Sequence, residues 1–517
     1  MNMVRVLFEG PETLADGTER IFETRDEQFF IRGDQPELAA GIVWKRPGGQ
    51  VLNAKASISR LDVRRGQAST STAITSSGSN QSSIAQTSAI TDDMRFDADY
   101  SLPAFDGTLK AIGFARLRSN DATTRFTLFD APGNPMADRA FEEESASQEW
   151  VARFEQQWRE SDGKSWQLAG EAAYNSLDLT TSLLAFDPAT PSQVLSETQS
   201  RTMIEELRSE ITVAHQRRLN SQSSLQISIG GEVSEIGQTG FRRAFFRPKG
   251  FANYTLKPGS DWTLSARIAR EVGQINFRNF ASTVSLIEGV STQENLGLVP
   301  QQSWVITGRA ERIFEAGHTF SLALTREHIS DLVDRIPLGT DGDAVGNIPT
   351  ASRTAIETSV TLVGSGLGLP GVQLDLNGNW QWSSVIDPIG GFDRDIGNLR
   401  VRDLRLRFRH DLPRSDWSYG LELREIKLAP VFRATLTEFR NVPGGALSPG
   451  TNAVFIENKD LFGLRARIEV SELLGQKSRF RRLTHSGRRD LTPIVRIENR
   501  ERSLGGPVLS LSLGRTF

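Results

Sequence analysis

The sequence predicts an all-β chain: one large antiparallel transmembrane β-barrel of about 20–22 strands. Three features predict it: a hydrophobic period of two, connections that alternate short and long, and a last alternating strand ending on an aromatic residue. The period is clearest in Gln373 to Trp382, where Leu374, Leu376, Gly378, Trp380 and Trp382 alternate with Gln373, Asp375, Asn377, Asn379 and Gln381. A helix would scatter those residues around its circumference, whereas a strand puts one set on each face. Leu404/Leu406/Phe408 interleave with Arg405/Arg407/Arg409 in the same way, and Leu464/Ala466/Ile468/Val470 with Arg465/Arg467/Glu469. So do Trp166 to Tyr174, Leu225 to Ile229, Trp262 to Ile268 and Phe320 to Leu324.

Trp and Phe often open or close the apolar face, as at Trp150, Trp166, Trp262, Trp304, Trp380, Trp382 and Trp417. Interfacial aromatics do this in a membrane barrel, where the ring meets lipid and water at once. With only four Tyr, Trp and Phe must form the girdles. A soluble sandwich or propeller is the competing fold, but its polar face rarely carries a ladder such as Arg405, Arg407 and Arg409. A wet lumen accommodates one, so these three are expected to face the lumen.

Short polar turns fall at 47–49, 103–106, 161–163, 257–261, 315–317, 364–370, 413–416 and 458–460. Longer irregular stretches lie between them: 64–91, 129–145, 179–200, 273–300, 336–349, 387–396, 433–450 and 475–506. Outer-membrane barrels alternate in this way, with short periplasmic turns and long external loops. The strand near 20–31 reads as ascending, with Met1 to Phe8 the remnant of a descending one. The uncharged Ser/Thr tract 68–91 reads as a mobile external loop, because its composition cannot bury a core. At the C-terminus, Leu509, Leu511, Leu513 and Phe517 share one face. That ending is similar to the signal read by the bacterial barrel assembly machinery, although Arg515 occupies a usually apolar position.

The 60 Lys+Arg and 63 Asp+Glu leave a net charge of −3, which gives no global reason to bind nucleic acid. Without cysteine there are no disulfides, thiolate metal sites or thiol nucleophiles. No apolar run approaches the roughly 18 residues of a membrane helix. The five His (215, 318, 328, 410, 485) form no close ligand pair, no GxSxG elbow is present, and neither metal, cofactor nor enzymatic chemistry is expected. Gly366 to Gly371 fits GxGxxG formally, but Pro370 and a period-two strand follow, so it reads as a turn. Arg32-Gly33-Asp34 also reads as turn chemistry before Pro36. Lys477, Arg479, Arg481, Arg482, Arg488 and Arg489 fall in the expected final external loop. There they would pair with lipopolysaccharide phosphates or bind an anionic cargo, since guanidinium forks match carboxylate and phosphate. Unpaired, such a cluster would give the pore an anion preference.

Several stretches resemble the barrel of TonB-dependent receptors: Arg247-Pro248-Lys249, Trp262-Thr263-Leu264, Arg270 to Phe277, Ile329 to Pro337 with Gly346-Asn347-Ile348, and Leu464 to Leu474. The resemblance covers roughly 150–517 and marks the barrel, not the cargo. It implies residence in the bacterial outer membrane, contact with outer-membrane lipid and lipopolysaccharide, and binding of a scarce extracellular solute such as a metal chelate or glycan. Family members also carry a signal peptide, a coupling box and a plug. None is visible here, so 1–517 is expected to be barrel alone, with 1–40 a truncated start. A periplasmic TonB-type coupling protein is a partner only if a plug and coupling box exist upstream. The Arg405/Arg407/Arg409 ladder would hold acidic groups of a plug. Two other readings stay open: a passive pore or structural barrel without energy coupling, and a barrel hydrolase.

Overall fold

The computed structural model describes residues 3–160, 163–238, 241–287, 289–295, 297–340, 342–441, 452–475, 477–504 and 506–514. They form a single 26-stranded antiparallel sheet plus one two-stranded hairpin, Thr283–Ser285 with Val290–Thr292. Six of the 26 strands continue a neighbour across a bend, so the wall consists of 20 long runs. The predicted fold class therefore holds, including its lower strand number. Strand Met3–Ala15 pairs with Ile21–Asp34 on one side and Ile494–Leu504 on the other, which joins the last run to the first along 8–15 and 497–504, while among the described residues Glu37–Arg46 and Val508–Gly514 each pair on one side. Among the described residues, no helix is long and apolar enough to cross a membrane.

Period-two patterning sorts the side chains as predicted. On strands Val194–Arg218, Ser223–Gln238 and Phe241–Leu256, Leu207, Ile211, Val213, Ile229, Val233 and Phe246 all point outward and stand exposed. Ile229 is 71% exposed and Phe246 72%, values tolerable only where lipid replaces water. The opposite face of the same strands carries Glu210, Glu232 and Lys249, with Lys249 Nζ 2.6 Å from Glu210 and 2.9 Å from Glu232. On strands Pro135–Glu160 and Lys164–Phe186, Trp158 pairs with Trp166 and Trp150 with Tyr174, eight residues further along each strand. At about 3.4 Å per residue and a tilt near 40°, the two aromatic rows are roughly 20–27 Å apart, close to the height of a lipid-facing band.

Four expectations about connections are corrected. First, most of the stretches expected as long loops are strands. Gln50–Ala73 and Gln81–Ala104 pair up to Ser71↔Gln81, which leaves 74–80 as the connection. The Ser/Thr tract 68–91 is thus a paired hairpin: Ser69 and Ser71 are buried, Thr87 shares a 2.9 Å hydroxyl bond with Thr124, and Thr91 donates to Asn120. Composition alone misjudges it, because β-branched Thr and cross-strand hydroxyl pairs suit a pleated sheet without an apolar core. Second, Arg32-Gly33-Asp34 is strand and not turn, with Gly33 opposite Val63; the break comes after it, at 35–36. Third, Ile21–Asp34 runs on through Glu37–Arg46 to the turn at 47–49, so that run descends and Met3–Ala15 ascends, the reverse of the expected parity. Fourth, 475–506 is largely a hairpin of Lys477–His485 with Ile494–Leu504. The Gly366–Gly371 segment is a turn as expected, with Gly368 and Gly371 at φ 75° and 84°, where a side chain is disfavoured.

One connection differs from the rest. Residues 273–301 leave the wall after Trp262–Val272 and rejoin it at Gln302–Ile313, although those strands are direct neighbours with Val272 opposite Gln302. Between them the chain folds against the inner wall, where Phe280 and Leu298 are buried with Ile204 and Ile236.

These faces lead to a direct expectation in a bilayer. Ile211→Arg, about midway between the aromatic rows, should cost about 2–4 kcal/mol of folding stability. Thr212→Arg, one residue on and facing the wet inner wall, should cost much less. Equal urea midpoints for the two variants refolded into lipid vesicles would contradict the assigned faces.

Candidate functional site

The long-connection end holds a dense cluster of buried charge. Asp387 begins a tight turn in which its Oδ1 accepts the N–H of Ile389 at 3.0 Å and of Gly390 at 2.6 Å. Its other ties are to Arg394, whose Nε donates to Oδ2 at 2.7 Å, and to Arg489. Arg394 also reaches Asp334 at 3.0 Å, and Arg489 Nε donates to the Arg433 carbonyl at 2.9 Å. Next to them, Asp343 receives Arg433 at 2.8 Å and Arg335 at 3.1 Å. Phe392 and Phe432 pack edge-to-face under the guanidinium groups of Arg394 and Arg489. Burial raises the Asp387 pKa, but the hydrogen bonds from Arg489, Gly390 and Arg394 outweigh it and hold the carboxyl below its ordinary range. The cluster joins loop 387–399, the tips of Thr319–Leu338 and Gly342–Val363, and the connections 433–435 and 486–493 into one rim.

The arginines singled out in the sequence take different positions. Arg405, Arg407 and Arg409 lie on Arg400–Asp411, on the face opposite Leu404, Leu406 and Phe408. Each is paired within the wall: Arg405 with Glu422 at 2.5 Å, Arg407 with Glu422 at 3.2 Å, and Arg409 with Glu457 at 2.8 Å and Ser418 Oγ at 2.9 Å. Barrel carboxylates thus already occupy the ladder. The other five do not converge. Arg482 is buried between Glu438 at 2.9 Å and Glu498 at 3.5 Å. Arg479 and Arg481 belong to the same strand but to its other face, paired with Glu501 and Glu19. Arg488 lies in loop 486–493, 2.7 Å from Asp490, and Arg489 is bound into the rim. An unpaired cationic cluster is therefore not what the structure holds.

Arg479 and Arg481 line a groove of about 970 Å³ together with Trp380, Trp382, Arg402 and Lys427. Strand parity puts these six on the outer face, the one shared with Leu404 and Leu406. Leu509, Leu511 and Leu513 are also outward and exposed on Val508–Gly514, while Phe517 lies outside the described residues.

Sequence reasoning missed a second charged cluster on the inner wall. Glu12 and Glu27 from the first two runs meet Arg500 and Arg502 from the last, with Arg502 2.8 Å from Glu27. Arg502 and Glu27 are 475 positions apart, and no local pattern links the members of this cluster. The histidines remain dispersed: His318 Nδ1 accepts the Val363 N–H at 3.0 Å, His485 Nδ1 lies 2.7 Å from the Thr492 carbonyl, and His215 stacks on Trp166. Among the described residues no group of three metal-ligating side chains occurs.

No protein-family model and no curated protein matches the sequence. Solved structures do match its fold. The ferric yersiniabactin uptake receptor FyuA of Yersinia pestis aligns at TM-score 0.53 and 10% identity, over 97% of this chain and 80% of that one. The siderophore receptor PiuA of Acinetobacter baumannii gives 0.53 and 8%, over 96% and 81%. FpvA of P. aeruginosa, bound to heterologous pyoverdines, gives 0.54 and 8%, over 96% and 71%.

Asp387→Ala should leave Arg489 buried without its counter-charge and cost about 3–5 kcal/mol. Arg407→Ala, which breaks a half-exposed pair, should cost less than about 1 kcal/mol. Denaturant midpoints read by heat-modifiability would separate them, and indistinguishable values would show that the rim cluster adds nothing to stability. Because the folded Asp387 pKa is depressed, its contribution is complete above the ordinary aspartate value of 3.8 and is lost as pH falls through the lower folded value. Loop 387–399 should therefore resist pepsin near that value and become cleavable only at stronger acidity. Unchanged cleavage across the whole acid range would contradict this. The match to solved receptors at identities of 10% and below assigns this chain the fold of outer-membrane receptor barrels.

Proposed function

We propose that the chain is the barrel of an outer-membrane receptor or transporter of the TonB-dependent type, which binds an extracellular solute at its long-connection end and passes it toward the periplasm. One observation carries this reading: exposed apolar rows on the outer face, such as Leu207, Ile211, Ile229 and Phe246, around an inner wall of paired arginines and carboxylates. That arrangement suits lipid outside and a polar passage inside. The structural neighbours support it, since those quoted include a siderophore receptor and a ferric yersiniabactin uptake receptor. The mechanism is binding and gating without covalent chemistry. A TonB-type coupling protein enters it only through a plug and coupling box supplied upstream.

Within this reading the arginines have separate tasks. Arg488, at the rim, is the candidate contact for an anionic cargo such as a metal chelate or acidic glycan. Arg479 and Arg481, on the outer face, suit lipopolysaccharide phosphates better than a cargo inside the bore. Leu509, Leu511, Leu513 and Phe517 serve as the assembly signal. A passive pore is the second reading, favoured by the fact that wall carboxylates already pair the inner arginines.

Ferric citrate, a ferric catecholate and an acidic oligosaccharide, each titrated against the refolded protein by tryptophan fluorescence, test the proposal. Saturable binding of one of them, weakened several-fold by Arg488→Ala with assembly intact, is the expected result. No saturable binding, together with unselective solute flux into liposomes, would leave the passive pore as the function.

A further inference from the structure

The inner wall where the last run meets the first carries a pocket of about 190 Å³, just below the connections 74–80 and 486–493. Seven neighbouring strands build it, from Lys477–His485 across the junction to Gly107–Asp130. Cross-strand register lays its wall down in two rows. One row runs Glu12, Arg25, Ser71, Gln81, and the next runs Glu27, Ser69, Ser83, Leu128. Phe126 shares the face of Leu128, two positions along the same strand. The Ser/Thr tract, which has no apolar row of its own, therefore supplies a surface of hydroxyls.

Several polar groups of this pocket lack partners among the described residues. Glu12 is 2% exposed, yet its Oε1 makes no hydrogen bond, and Arg25 Nη1 stands 3.6 Å away in an ion pair too long for one. Ser69 is buried directly opposite half-buried Ser83, and neither side chain makes a hydrogen bond among the described residues. Arg25, Arg482 and Arg500 are each tied to a wall carboxylate. Arg496 has no such tie among the described residues, and its Nε is buried without an acceptor. Buried polar groups normally find partners, so a cavity that gathers four without them is shaped for a ligand that supplies them.

Size and chemistry define that ligand. Drug-sized molecules fill roughly 300–1,000 Å³, so this pocket takes a smaller unit. Two serine hydroxyls, an amide and a free carboxylate oxygen complement a molecule rich in O–H, which both donates and accepts. Phe126 and Leu128 offer an apolar surface to the C–H face of a ring. Arg496 adds a fork for one carboxylate. It lies four positions from Arg500, the residue opposite Glu12, a gap of roughly 13 Å along the strand that an arginine side chain and one sugar ring together span. A multiply charged anion fits less well, because Glu12, Glu27 and Glu498 face the same space.

We propose that this pocket binds a uronic-acid-type sugar residue of an acidic glycan, with its carboxylate on Arg496, its hydroxyls on Glu12 Oε1, Ser69 and Ser83, and its ring face on Phe126. This rests on the receptor reading above and selects the glycan over the metal chelate as solute. Loop 486–493, which carries Arg488, leads directly into the strand of Arg496, so a following acidic unit meets the rim.

Calorimetric titration of the refolded full chain with galacturonate and galactose tests the site. Galacturonate should bind saturably and galactose more weakly. Arg496→Gln should weaken galacturonate roughly tenfold and leave galactose unchanged, with Arg496→Lys restoring part of the loss. Ser69→Val/Ser83→Val, which keeps strand-forming side chains, should weaken both sugars, heat-modifiability confirming that each variant has assembled. Galacturonate bound equally by the intact chain, Arg496→Gln and the valine pair would overturn the pocket. Absence of sugar binding alongside saturable binding of ferric citrate or a ferric catecholate would overturn it and leave the receptor reading standing. No saturable binding of any of these solutes, with unselective flux into liposomes, would overturn both.

Discussion

Everything in this molecule depends on returning the sheet to its own first strand. A strand carries an unsatisfied N–H and C=O on each side, and lipid offers no partner for either. Pairing of Met3–Ala15 with both Ile21–Asp34 and Ile494–Leu504 meets that requirement along 8–15 and 497–504. Once the sheet is wrapped, inside and outside are fixed for every residue by parity alone. A slip of one position would turn Leu207 and Ile211 inward and Glu206 and Glu210 into lipid, so the register is strongly specified.

The inner face then has a problem of its own. A long wall of alternating polar residues brings many charges into one enclosed space, where they must be paired or hydrated. The chain solves this with pairs across adjacent strands, such as Lys249 with Glu210 and Glu232, or Arg409 with Glu457 and Ser418. At the rim the same solution is used under deeper burial. There the desolvation of Asp387 is offset only because two guanidinium groups and two backbone N–H groups converge on it. A consequence is that most arginines prominent in the sequence are tied into the wall or the rim, and Arg479 and Arg481 are among those left near solvent.

The alternation of Leu404 to Arg409 or Gln373 to Trp382 identified strands because burial on one face and hydration on the other leave a period of two in any such segment. The same logic failed where both faces are polar. The Ser/Thr hairpin 68–91 looked structureless because it lacks the apolar row, although backbone pairing and hydroxyl bonds hold it. Turn chemistry misled at Arg32-Gly33-Asp34, where the strand continues up to the bend at 35–36. That continuation reversed the expected direction of the first two runs.

Sequence by itself determined the class of fold, the approximate number of strands, the outward and inward sets of residues and the short-turn end, because each is written in a local period or a local turn. Tertiary structure alone decided which charges meet. Arg502 with Glu27, Arg489 with Asp387 and Arg433 with Asp343 join residues 475, 102 and 90 positions apart, and their partners are set by wall curvature and register. It also decided that one connection among many turns inward. Phe277, Phe280 and Leu298 make that segment sticky in sequence, but only the neighbouring Ile204 and Ile236 give those side chains an apolar surface inside the barrel to bury against.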